Sequence, residues 1–165
     1  MGKTELLKGP GMAGKNLTTI ATNKAMDLCS KREYCVSEIS NKLRSWSLSE
    51  KETEKIIKVL IRENFINERR YSEAFVKDKF NHNKWGKVKI ASHLRAKSIP
   101  DELIRQALES VDEELYRKRV KDTVLQHRKS VKAKNQFDLK GKLLRYGLSK
   151  GFESSLLYDI LNDLE

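Results

Sequence analysis

Residues 39–49 read "ISNKLRSWSLS", and residues 139–149 read "LKGKLLRYGLS". Each opens on an apolar residue, has leucine four places on, another leucine near its end, and a closing serine. Four-residue spacing puts Ile39 and Leu43 on one face of a helix, as it does Leu139 and Leu143. Leu48 and Leu148 then stand beyond a short break, where an apolar side chain can pin a tight turn. Half-way between, at an offset of 51, "IASHLRAKSIP" (90–100) repeats the pattern with Ile90, Leu94 and Ile99. Pro100 takes the place of Ser49, and both residue types suit the start of a following helix. That helix is marked by Ile56, Ile57 and Leu60, which return as Leu156, Leu157 and Ile160.

The sequence is therefore built on a unit of about fifty residues, a period that signals a repeat architecture. The spacing predicts first helices over 18–31, 68–81 and 113–129. Middle helices are expected over 36–45, 86–97 and 137–146, and third helices over 49–64, 100–110 and 151–163. Only Pro10 and Pro100 could interrupt them, and no segment alternates cleanly enough to be a strand. The fold class expected is all-α: an elongated array of three tandem three-helix repeats, in which stacking neighbours supply the core. The repeats fall at 18–66, 67–111 and 112–165, after a flexible N-terminal arm, 1–17.

That arm contains "GPGMAGKN" (9–16), which has the G-x-x-x-x-G-K spacing of a phosphate-binding loop. A working loop needs a buried strand before it and a Ser or Thr after the lysine, to ligate Mg²⁺. Here Asn16 stands in the hydroxyl position, and only "MGKTELLK" precedes it. No nucleotide binding is expected.

Of the 165 residues, 35% are charged, and the formal net charge is +11. The charge falls in blocks. Residues 69–97 hold nine basic residues against two acids, and residues 115–150 hold twelve against two. Residues 98–114 and 151–165 are net acidic. Basic surface thus belongs to the first and middle helices of repeats two and three, a distribution suited to a polyanion. No apolar run is long enough for a membrane span, and no signal peptide is recognisable. Cys29 and Cys35 lack C-x-x-C spacing, which fits reduced thiols in a cytoplasmic protein.

Catalytic and metal-binding constellations are missing. His82, His93 and His127 have no partner at metal-ligand spacing, and Asp112, Glu113 and Glu114 suit a helix N-terminus. We expect no enzyme activity, no cofactor and no metal. The candidate contact residues are Arg69, Arg70, Lys84, Lys87, Lys89, Arg95, Lys97, Lys142 and Arg145. Trp85 and Tyr34 hold matching repeat positions, where anchoring the middle helix is favoured over stacking on bases. Charge spread over three repeats suits backbone or filament contact better than a single recognition helix.

Four stretches are similar to a known family. "KREYCVSEISNKL" (31–43) resembles the first-repeat signature of RecX, R-x-x-S-x-x-E-L-x-x-K-L with a variable spacer. "FINERRYSEAF" (65–75) and "WGKVKIASHLRAKSIPDELIRQAL" (85–108) are similar to its second repeat, and "KLLRYGLS" (142–149) stands for its L-x-R-R-G-F-S. The resemblance covers residues 20–163. Departures are Asn67 and Glu68 for an acidic pair, Ser98 for a glycine, and "YGL" (146–148) for "RGF". Serine at the Ser98 turn should resist positive φ, and Tyr146 would remove a phosphate contact.

The resemblance implies a bacterial regulator of the RecA recombinase. Such a protein binds RecA nucleoprotein filaments, limits their growth, ATPase and strand exchange, and damps the SOS response. Direct contact with single-stranded DNA and a monomeric state are expected, with no membrane partner. The residues alone also allow a helical DNA- or RNA-binding protein without RecA contact.

Overall fold

The computed structural model describes residues 10–164, with side chains from residue 16 onward. All regular structure among them is helical. In chain order the helices are α1 (Pro10–Lys31), α2 (Val36–Ser45), α3 (Glu50–Arg62), α4 (Glu68–His82) and α5 (Lys87–Ala96), followed by α6 (Asp101–Glu109), α7 (Glu113–Arg128), α8 (Gln136–Ser149) and α9 (Ser154–Asn162). They form the three expected trios. α1 starts at Pro10 rather than near residue 18, so residues 10–17, expected as arm, are helical. Proline at a helix start forfeits no hydrogen bond, and its φ is preset. The side chains of residues 9–15, on which the phosphate-loop reading turns, lie outside the described residues.

Local chemistry accounts for the helix starts. Ser49 Oγ accepts from Glu52 N–H while Glu52 Oε2 accepts from Ser49 N–H, a reciprocal cap on α3. Asp112 caps α7 through Leu115 N–H, and Asn135 caps α8 through Asp138 N–H.

The middle helices all end in one left-handed turn. In the first repeat Ser47 has φ 67°, and Leu48 N–H reaches back to Leu43 O at 3.2 Å. In the second Ser98 has φ 60°, and Ile99 N–H reaches Leu94 O at 3.2 Å. Ser98 thus adopts the positive φ that serine was expected to resist. The following Leu48 and Ile99 are buried, as the pin reading requires.

The third repeat departs from the offset of one hundred. α8 continues through Tyr146–Leu148, and the left-handed residue is Gly151, φ 83°, with Phe152 N–H bonded to Gly147 O at 3.1 Å. The pin is Phe152, 3% exposed, while Leu148 is 47% exposed. α8 is one helical turn longer than α2, 14 residues against 10. The glycine–phenylalanine pair of the R-G-F-S motif is therefore present as Gly151–Phe152, preceded by Lys150. The departure read at "YGL" (146–148) was a slip of register, and Lys150 puts a cation at the motif's second arginine position.

The chain divides into two compact units, Met1–Tyr71 and Ser72–Glu165, the border falling inside α4. In the first, α3 packs on α1 and α2, and the core is built from Ala25, Ile39, Leu43, Ile56 and Leu60. In the second, α5 packs on α6 and α8 on both α7 and α9, burying Ile90, Leu94, Ile104, Val120, Leu143 and Leu157.

A recurring device seats the start of each later first helix. Glu68 of α4 accepts from Val36 N–H at 3.4 Å, and Tyr71 donates to Glu38. At the same two positions of α7, Glu113 accepts from Lys87 Nζ at 2.8 Å, and the Tyr116 hydroxyl accepts from Lys87 N–H at 3.1 Å. In both cases an otherwise orphaned N–H at the start of a middle helix finds a side-chain acceptor.

Candidate nucleic-acid interface

The basic surface of the second unit is organised by a close approach of two backbones. Gly86, the N-cap of α5, lies against Gly151 at the end of α8: a Cβ on Gly86 would stand 2.2 Å from Gly151 O. Gly86 N–H donates to Lys150 O at 2.7 Å, and Val88 N–H to Gly151 O at 3.0 Å. The donors of one helix start thus satisfy the acceptors of another helix end, and only glycine leaves room for it.

This junction gathers lysines. Lys89 on α5 lies with Nζ 3.5 Å from Ser149 O, and Lys150 Nζ donates to Asn83 O at 3.1 Å. Lys84 sits in the preceding loop with φ 56°. Burial first, then the charges of Lys89 and Lys84, push the Lys150 ammonium below the ordinary lysine pKa. A bound anion would reverse the second effect. Nearby, Trp85 is half-buried with Lys89 Nζ 4.6 Å and Lys79 Nζ 5.1 Å from its ring centre, and the His93 ring tilted against it at 4.4 Å between centres. Tyr34 in the first repeat has Arg32 over it at 3.7 Å. Both rings are engaged by cations of their own repeat.

The remaining candidates divide by what they hold. Lys87 pairs with Glu113 and lies over the Tyr116 ring, and Arg95 pairs with Asp101 at 3.1 Å. Lys142 reaches the Lys132 carbonyl at 2.6 Å and Asp138 at 3.2 Å, tying down the loop before α8. Arg70 pairs with Glu33 and bonds the Asn64 and Phe65 carbonyls, closing the end of α3. The Arg95–Asp101 pair is solvent-exposed, whereas Lys87, Lys142 and Arg70 each tie two segments of the chain together. Arg69 and Arg145 are exposed, and Lys97 is half-buried. The structure therefore brings Lys84 and Lys89 together around Lys150, while Lys87 turns toward Glu113 and Tyr116.

Lys150 was missed by sequence reasoning, although it occupies the second arginine position of the R-G-F-S motif once that motif is set on Gly151–Phe152. Glu153, in the net acidic stretch 151–165, accepts a hydrogen bond from the Tyr116 hydroxyl. Of the histidines, His127 stacks on Tyr146 at 3.6 Å and His82 lies 3.4 Å from Asp78. Among the described residues no group of His, Cys, Asp or Glu is placed to hold a metal ion, and no helix is long and apolar enough to cross a membrane.

Comparison with known proteins matches residues 67–108 to the family described as RecX, second three-helix domain. The chain is 31% identical over 149 residues to the regulatory protein RecX of Clostridium acetobutylicum, covering 87% of this chain and 68% of the relative. It is 29% identical over 139 residues to that of Clostridium beijerinckii, covering 83% of this chain and 64% of the relative. The chain thus spans about two thirds of the length of these relatives. A crystal structure of regulatory protein RecX superposes with a TM-score of 0.84 at 25% identity, over 99% of this chain and 81% of the other.

Proposed function

The chain belongs to the RecX family, and from that premise we propose that it regulates RecA by docking onto filaments assembled on DNA. On this reading it works without chemistry of its own, as a monomer in the cytoplasm. It limits filament growth, ATP hydrolysis and strand exchange, and so damps the SOS response.

The observation that carries the reading is the lysine cluster of Lys84, Lys89 and Lys150. Three cations gather there, and the Lys150 ammonium is held below the ordinary lysine value first by burial and then by the charges of Lys89 and Lys84. A positive patch of this kind attracts polyanions. A RecA filament on DNA offers both phosphates and acidic side chains.

The test is suppression of the DNA-dependent ATPase of RecA. The triple variant Lys84→Glu, Lys89→Glu, Lys150→Glu should abolish suppression while keeping its helical circular dichroism. Asp159→Lys in α9 with Asp163→Lys at its C-cap should matter far less. Loss of suppression only in the α9 variant would place docking on the opposite surface. Capture by DNA but never by RecA would favour the simpler nucleic-acid-binding protein.

A further inference from the structure

A groove of about 440 Å³ opens in the second unit between α4 and α7. Its floor is apolar, made by Phe80, Val120 and Phe152, all 7% exposed or less. Trp85 forms one wall. The amides of Asn81 and Gln126 and the hydroxyl of Thr123 line it at intervals, and Lys84 and Arg119 stand among them. Arg119 lies over Phe80 at 4.6 Å and is hydrogen-bonded to Asn81, which fixes its guanidinium at the groove.

We propose that this groove binds one nucleotide of a single-stranded nucleic acid, with the base on the apolar floor and its phosphate between Lys84 and Arg119. Three features point to that ligand. The volume lies in the range of small-molecule sites, large enough for a base and far too small for a duplex. An apolar floor ringed by amides and a hydroxyl suits a planar group with hydrogen-bonding edges, as when unpaired bases are splayed onto a protein. Cations at the same groove suit the phosphate that every base carries with it. Asp122, also in the lining, can accept from a base N–H and would keep phosphate toward the two cations. An acidic peptide fits less well, because its carboxylates would meet Asp122.

The inference deepens the nucleic-acid half of the function proposed above but does not require RecA. Its test is anisotropy of a labelled short oligothymidylate against an abasic strand of equal length, with the intact chain. The base-bearing strand should bind about tenfold more tightly, the scale of one base–protein contact. Gln126→Ala, at an exposed position, should erase most of that preference. Lys84→Gln should weaken both strands alike and lower the salt slope by about one. Lys118→Gln, on α7 but outside the groove, should leave the preference intact. Equal binding of the two strands by the unaltered chain, or a preference that survives Gln126→Ala, overturns the proposal. If neither strand binds while ATPase suppression persists, the groove inference falls and the regulatory reading stands. If strands bind as expected without suppression, the reverse holds.

Discussion

The Cβ that Gly147 lacks would lie 2.4 Å from Cδ2 of Leu157 and 2.8 Å from its Cδ1. Leu157 is fully buried, so its side chain has nowhere to swing. Counted back from the left-handed turn, Gly147 holds the place of Leu43 and Leu94, and Leu157 that of Thr53 and Ile104. The first repeat puts bulk on its middle helix and a threonine on its third. The third repeat does the opposite, giving its middle helix a glycine and its third helix a leucine.

The pair should show coupled stability. Leu157→Ala should cost about 2–5 kcal/mol, as for other buried leucines. Gly147→Ala should cost about 1–3 kcal/mol through overpacking, partly offset by about 1 kcal/mol of helix propensity. The double variant should lose clearly less than the two losses together, since the new methyl enters the space vacated. Strict additivity in urea denaturation would show that the two positions do not share that space.

Register can be tested by truncating the two candidate pins. Phe152→Ala should cost about 3–5 kcal/mol. Leu148→Ala, on an exposed helix surface, should stay within about 0.5 kcal/mol. The reverse order would restore the shorter helix that the offset of one hundred implies.

Ser47 and Ser98 hold left-handed φ of 67° and 60°. An L-residue is disfavoured there by about 1–2 kcal/mol, while glycine loses more freedom on folding, by about 0.4–1 kcal/mol. Ser47→Gly and Ser98→Gly should each stabilise the chain by about 0.5–1 kcal/mol. A loss of stability in thermal melts would mean that the serine side chains make up the difference.

The helix trios were legible because Ile39, Leu43, Ile90 and Leu94 are core residues whose spacing is imposed by the 3.6-residue turn. The extra turn of α8 was not legible. Leu148 copies Leu48 in sequence, and Gly147 looks like a turn glycine until Leu157 is seen to occupy its Cβ position. The basic residues were found as charges, but their duties could not be. Nothing in the local sequence of Arg70 or Lys142 says that Glu33 or the Lys132 carbonyl will be within reach. Lys150 joins Lys84 and Lys89 only through the Gly86–Gly151 contact, which is made across 65 residues of chain.

Alkaline pH should expose the junction tyrosines. Burial, followed by the neighbouring carboxylates Glu38 for Tyr71 and Glu153 for Tyr116, pushes both phenols far above the ordinary tyrosine value. A native pKa raised above the unfolded one supplies stability that is complete below about pH 10 and falls as pH rises beyond it. Stability should therefore decline from about pH 10 upward, and the decline should be shallower in Tyr116→Phe. Absorbance titration should show these two phenols ionising only as the helices melt. Early ionisation of all five tyrosines with circular dichroism unchanged would contradict this.

The hydrogen bonds from Gly86 to Lys150 and from Val88 to Gly151 also bear on how the second unit opens. In a simple repeat array each unit can fray independently from the end. Here α9 and the end of α8 cannot peel away without uncovering the amides that start α5. In native-state amide exchange, Gly86 and Val88 should follow the same opening as the Phe152 amide, with a common free energy and a common denaturant dependence. The last two repeats would then behave as a single foldon, and a lesion at the far end of α8 would be felt at once in the middle of the chain.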